Sequence, residues 1–386
     1  MEELAISEIK TEAGGDGTQT LSATFNSPRR PYSVWFRTDN GLINDSAEPF
    51  LPVALIPSMR RGWKVRFDGA LSPVLVAGTQ PIQQVMCGWY SEFRPVLIDA
   101  PQKAHEDTGA SKGVAAFFSG GVDSFFTLQQ HREELTHLVF VHGFDLPLVH
   151  EKRRREMAQN ARQVAQQMQL QLVEVETNLR DFSDRYVSWP DANFGAGLAA
   201  VALLLAPRFG RIYLPGSVSL EHLIPLGSHP DLDRHWGNGD IELLHDGVEY
   251  SRFQKIQSIA DWPPVANHLR VCYEPVDEGL NCGRCQKCLW TMMVLEALGR
   301  LDAMPAFPPK TDLRALRQYP PVEEHQRNRF SEAIRVLDER NANPELRAVL
   351  RELLKAGARA RMKARIRRPL GDLRRLLLRA VGRRAR

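Results

Sequence analysis

Two groups of residues in this chain of 386 amino acids can do chemistry by type and spacing. One is Cys272, Cys282, Cys285 and Cys288, a C-x9-C-x2-C-x2-C pattern. Thiolates are soft metal ligands, and two-residue spacers turn successive sulfurs inward. Four of them complete a tetrahedral Zn2+ shell with no open position, which makes the metal structural. An iron–sulfur cluster or four reduced thiols would draw on the same residues. The other group is Ser119-Gly120-Gly121-Val122-Asp123-Ser124, set between an apolar run and a helical pattern. Its glycines let the backbone turn tightly and approach an anion. The serine hydroxyls and the N–H groups of a starting helix donate into the positive end of the helix dipole. This is a phosphate cradle without a Walker lysine, although a Gly-rich turn capped by Ser or Asp has the same local composition.

The elements that must position these residues follow from periodicity. Residues 113–118 read as a buried strand, 125–134 as a helix, 136–141 as a strand, 151–168 as a helix and 170–176 as a strand, followed by a helix at 198–206 and a strand at 211–214. Repeated β-α-β units predict an α/β fold, a doubly wound parallel sheet with ligands at the carboxyl ends of its strands. Residues just beyond those ends become candidates: His142, Gly143 and Asp145 after the second strand, and Gly216, Ser217 and Ser219 after the strand at 211–214. Asn193-Phe194-Gly195-Ala196-Gly197 precedes the next helix and suits either ligand approach or close packing. Arg252 and Lys255 fall one turn apart on a predicted helix, either as anion-binding cations or as a solvated face. Cys87 stands alone and reads as a small buried residue.

The hexapeptide resembles the SGGxDS signature of the PP-loop ATP pyrophosphatases. Together with the cysteines it is similar to 7-cyano-7-deazaguanine synthase, in which a lysine-containing helix leads to a Cys-Tyr pair and then a CxxCxxC run. The matching residues here are Lys255-Ile256, Cys272-Tyr273, and Cys282, Cys285 and Cys288. Ser228-His229-Pro230-Asp231 is similar to the family's Gly-Tyr-Pro-Asp stretch. Val271 stands where the family usually has serine, and Leu289-Trp290-Thr291 where it usually has arginine. The likeness spans roughly half the chain. It implies ATP and Mg2+ held by Ser119, Gly120, Gly121, Val122, Asp123 and Ser124, with Asp123 near the Mg2+. It also implies His142 by the adenine or ribose, Lys255 by the leaving pyrophosphate and Zn2+ in the cysteines, while Gly216, Ser217 and Ser219 are candidates for the carbonyl substrate by their place after a strand and Arg252 joins Lys255 by its place one helical turn before it. The implied reaction adenylates a small-molecule carboxylate or amide, and ammonia or an amine then displaces AMP, as in queuosine biosynthesis. A PP-loop sulfurtransferase and a non-catalytic ATP-binding scaffold are the alternatives.

Around this centre the sequence predicts three regions. Residues 1–105 read as a β-rich domain, 112–300 as the PP-loop domain with its cysteine knot at 272–288, and 301–386 as a Pro-rich connection and a basic helical tail. From 355 onward the tail carries 13 Lys and Arg against one acid, Asp372, leaving 37 basic and 45 acidic residues elsewhere. Its interleaved leucines, among them Leu373, Leu376 and Leu377, suit an anionic membrane or nucleic-acid surface, or simply a solvated helix. No apolar run reaches the ~20 residues that cross a bilayer. The acidic start Met1-Glu2-Glu3 and the clustered cysteines predict a cytoplasmic protein.

Overall fold

The computed structural model describes residues 2–39, 41–103, 112–272, 274, 279–321 and 323–362. The chain forms two compact units, Met1–Glu249 with His268–Pro275, and Tyr250–Asn267 with Val276–Arg386.

The first unit is built on one ten-stranded, mostly parallel sheet. Its strands are β1 (Glu3–Ala13), β2 (Thr18–Asn26), β3 (Pro31–Asp39), β4 (Lys64–Phe67), β5 (Ile98–Asp99), β6 (Gly113–Phe117), β7 (His137–His142), β8 (Gln171–Thr177), β9 (Phe209–Pro215) and β10 (Glu242–Asp246). Their order is β10-β9-β6-β7-β8-β3-β2-β1-β4-β5. From β10 to β8 all neighbours are parallel. The parallel strands β6 and β7 are apolar without alternation, and Ala115, Ala116, Phe117, Leu138, Val139 and Phe140 are all buried, as strands covered on both faces require. β2 and β3 are antiparallel and alternate, with Leu21, Ala23, Phe25, Val34 and Phe36 inward.

Residues 1–103 differ from the expected small β-rich domain in two respects. Their strands belong to the same sheet, because β3 pairs with β8 through Phe36 opposite Thr177 and Arg37 opposite Glu176. They also contain the helices α1 (Phe50–Arg61) and α2 (Pro73–Trp89). Pro57 and Pro81 lie inside these helices, which is why a reading that treats proline as a breaker finds only strands here. α1 is buried from Phe50 to Met59. It packs against α6, the fourth of the helices that follow: α3 (Val122–Gln130), α4 (Glu151–Gln167), α5 (Leu179–Ser183), α6 (Phe194–Leu204) and α7 (Pro230–Asp233).

A buried carboxylate ties the two stretches further. Glu48 is 1% exposed and accepts from Asn44 Nδ2 at 2.7 Å, Asn238 Nδ2 at 2.8 Å and the Ser72 N–H at 3.0 Å. Both oxygens are therefore satisfied, and each donor depends on them. Glu48→Ala should cost about 3 kcal/mol by orphaning these buried donors. Urea unfolding that leaves the midpoint within error of the parent would show that Glu48 is not such a tie.

The second unit is helical, with α8 (Arg252–Ile259), α9 (Pro263–His268), α10 (Gln286–Leu298), α11 (Leu313–Leu316) and α12 (Glu324–Glu339), and residues 344–362 are helical as well. α10 is apolar on almost every side and packs against α8 and α12, and Trp290 meets Phe330 edge-on at 5.6 Å. The basic tail beyond 362, with its leucines, lies outside the described residues. Among those described, no helix is long and apolar enough to cross a membrane.

Candidate functional site

Strand order reverses between β6 and β9: the chain steps outward from β6 through β7 and β8, then returns to place β9 on the other side of β6. In open α/β sheets such a point, beyond the carboxyl ends of the two strands, is where ligands bind. The 119–124 turn follows β6, and Gly216 and Ser217 follow β9.

Within the turn, Gly120 has φ +77°, in the left-handed region, where a Cβ would be strained. Gly121 caps α3 with no side-chain hydrogen bond. Ser124 Oγ donates to the Gly121 carbonyl at 3.0 Å, and Asp123 stands in the first helical turn. Ser119 is exposed, while Gly120, Val122 and Ser124 are buried.

The turn is braced from a distant part of the chain that sequence reasoning passed over. The Arg270 N–H donates to the Gly120 carbonyl at 2.8 Å. Arg270 is 3% exposed. Its guanidinium donates to Asp145 Oδ2 at 3.0 Å and to the Cys272 carbonyl at 2.8 Å. Asn160 on α4 holds the same segment, giving its amide to the His268 carbonyl at 2.9 Å and pairing with His268 Nδ1 at 2.7 Å. Asp145 thus answers a buried arginine. Nothing in the sequence pattern marks Arg270 except its place two residues before Cys272.

His142 ends β7, and its Nε2 is 3.0 Å from Glu174 Oε2. Arg162 grips the same carboxylate with two nitrogens, at 2.6 and 2.8 Å. Burial pulls the Glu174 carboxyl upward, but the hydrogen bonds from His142 and Arg162 outweigh it and hold the group below its ordinary 4.5. A carboxyl lowered on folding stabilises the protein above the unfolded value, and loses that contribution as pH falls through the folded one. Glu174→Gln should therefore lower stability at pH 7 by on the order of 1 kcal/mol. The deficit should close in acid below 4.5, and melting curves showing a pH-independent deficit would contradict this.

The glycines of 193–197 serve packing. A Cβ on Gly195 would lie 2.3 Å from the Gly227 carbonyl oxygen, and one on Gly197 would lie 2.6 Å from the Trp189 ring. Asn193, by contrast, is fully buried, and both of its amide atoms lack a hydrogen-bond partner. Gly216 is buried and Ser217 exposed. In the second unit, Lys255 on α8 is 1% exposed, and the helix begins with a Ser251–Gln254 capping box. Arg252, its first residue, is half-buried.

The four cysteine sulfurs lie within 4.8 Å of one another, and none is in a disulfide. Cys282 Sγ and Cys288 Sγ are 3.8 Å apart, close to the ~3.8 Å edge of a tetrahedron of sulfurs about 2.3 Å from zinc. The Cys282 sulfur also accepts the N–H of Cys285 at 3.3 Å and of Arg284 at 3.5 Å. Gly283 makes this turn with φ +68°, and a Cβ there would come within 2.4 Å of Pro308. These cysteines can hold a metal such as zinc. Comparison with protein-family profiles, curated proteins and solved structures gives no match to this chain.

Cys272 lies two residues beyond Arg270, whose guanidinium bonds its carbonyl, so a metal held by the cysteines would be coupled to the turn. Removing metal with a chelator should raise hydrogen exchange at the amides of Gly120 to Ser124 ahead of global unfolding. Unchanged exchange there, with metal loss confirmed by elemental analysis, would break the link.

Proposed function

We propose that this chain is an ATP-dependent ligase of the PP-loop type, which adenylates a carboxylate or amide and passes the acyl carbon to ammonia or an amine, in the manner of the 7-cyano-7-deazaguanine synthases it resembles. The observation that carries this reading is the 119–124 turn. A left-handed glycine and a glycine cap without a side-chain hydrogen bond place the N–H groups of α3 beyond β6, beside the point where strand order reverses. Such a terminus binds phosphate through N–H donation and dipole charge together.

In this reading the first turn of α3 and Ser119 hold the pyrophosphate portion of ATP, and Asp123 binds Mg2+, which neutralises charge on the phosphates. Gly216 and Ser217 border the acyl carbon. Lys255, with Arg252, is the cation assigned to the leaving pyrophosphate. Positioning and charge stabilisation suffice for such a transfer, so no side-chain nucleophile is needed. Zn2+ in Cys272, Cys282, Cys285 and Cys288 is structural. Sulfur transfer is disfavoured, because burial pushes the Cys87 thiol up, away from the reactive thiolate.

The test is AMP and pyrophosphate formation from ATP and Mg2+, begun with 7-carboxy-7-deazaguanine and ammonium and extended to other carboxylates. Substrate-dependent AMP is expected, and Asp123→Asn should reduce it by ~10²-fold or more. ATP binding without AMP formation across the carboxylate set would leave a nucleotide-binding scaffold in place of an enzyme.

A further inference from the structure

The adenylation step leaves one buried polar cluster of the first unit unused. Asp233, the last residue of α7, is fully buried. Its Oδ2 accepts from Ser228 Oγ at 2.6 Å and lies 2.7 Å from His245 Nδ1, while its Oδ1 is buried with no hydrogen-bond partner. The His245 side chain is 6% exposed. A carboxylate on Nδ1 keeps the proton there and leaves the Nε2 lone pair able to accept one.

His245 stands on β10 opposite Leu214, and Asp246 stands opposite Pro215, so the imidazole is level with the carboxyl end of β9. Its Nε2 faces the backbone of Gly216, where a Cβ would lie only 2.5 Å away. Among the described residues no side chain engages Nε2. The other titratable groups nearby have separate tasks. Asp246 is hydrogen-bonded by Thr127 and His131, and burial holds His229 below its ordinary value.

We infer that His245 is the general base of the nitrogen-transfer half-reaction, with Asp233 as its positioning residue and Ser228 as a second anchor on that carboxylate. The inference rests on the ligase reading above. As the nitrogen of ammonia or an amine bonds to the acyl carbon of the adenylate, the bond from that carbon to the AMP oxygen breaks and AMP leaves with the electron pair. The surplus proton on nitrogen passes to His245 Nε2 and then to water. No oxidant or reductant is involved. The imidazolium formed faces the buried Asp233 carboxylate, which stabilises it without taking the proton.

The two half-reactions can be measured apart on the full chain. Carboxylate-dependent exchange of pyrophosphate into ATP reports adenylation, and AMP formation with ammonium reports transfer. His245→Asn places an amide N–H where Nδ1 stands, keeps the bond to Asp233 and deletes the base. It should retain exchange, lose ammonium-dependent turnover on the order of 10²-fold, and flatten the dependence of turnover on pH relative to the parent. Asp233→Asn should also lower turnover, with that pH dependence displaced. Exchange retained with turnover and pH profile within threefold of the parent in His245→Asn would overturn the role of His245 alone. Loss of exchange together with turnover, in a variant that melts like the parent, would likewise exclude a role confined to transfer. No exchange in the parent with any carboxylate would instead remove the ligase reading, and this inference with it.

Discussion

Strand β6 governs the candidate site because it is hydrogen-bonded on both sides, by β7 and by β9, and the strand order reverses there. The residues that follow β6 must satisfy their backbone groups locally, with a ligand, or from elsewhere in the chain, as the Arg270 N–H does for the Gly120 carbonyl. The glycines at 120 and 121, the serine bond back to the Gly121 carbonyl, and the Gly216 backbone bonded to Asp246 at 2.9 Å all answer that demand. The ten-stranded sheet around them also fixes the height at which His142, Gly216 and His245 emerge.

Charge in the first unit follows the same economy. Arg270 is buried against Asp145, Glu48 against two asparagines and an N–H, and Asp233 against a histidine and a serine. Arg270 and Glu48 draw together segments far apart in sequence, whereas Asp233 joins residues within twelve positions of it; burial makes all three contacts costly to lose singly. Arg270 and Asp233 lie next to residues with proposed chemistry, and Glu48 serves the join between the amino-terminal strands and the rest of the sheet.

Much of this was legible in the sequence, for physical reasons. Apolar strands alternating with longer amphipathic helices identify a parallel sheet, and the strand starts expected at 113, 136, 170 and 211 fall within two residues of those of β6, β7, β8 and β9. The Cys-x2-Cys-x2-Cys spacing leads to sulfurs that do converge. What was illegible depends on tertiary context. Pro57 and Pro81 sit inside helices because burial outweighs the lost hydrogen bonds, so a proline-based reading breaks α1 and α2 apart. β10 was missed because Glu242-Leu243-Leu244-His245-Asp246 is short and mostly polar, as suits a strand at a sheet edge. Arg270, Asp233 and His245 carry no local signature, since their importance lies in partners that only folding supplies.

The Arg270 bond to Gly120 has a consequence for how the protein is made on the ribosome. The 119–124 turn leaves the exit tunnel well before β9, β10 and the 268–272 segment have been translated. Until that later stretch arrives, the turn lacks both its neighbouring strand and its brace, so a nascent or prematurely terminated chain carries the hexapeptide without the geometry that gives it meaning. A ligand that needs the braced turn therefore finds its full site only in chains whose synthesis has passed the first cysteine of the cluster.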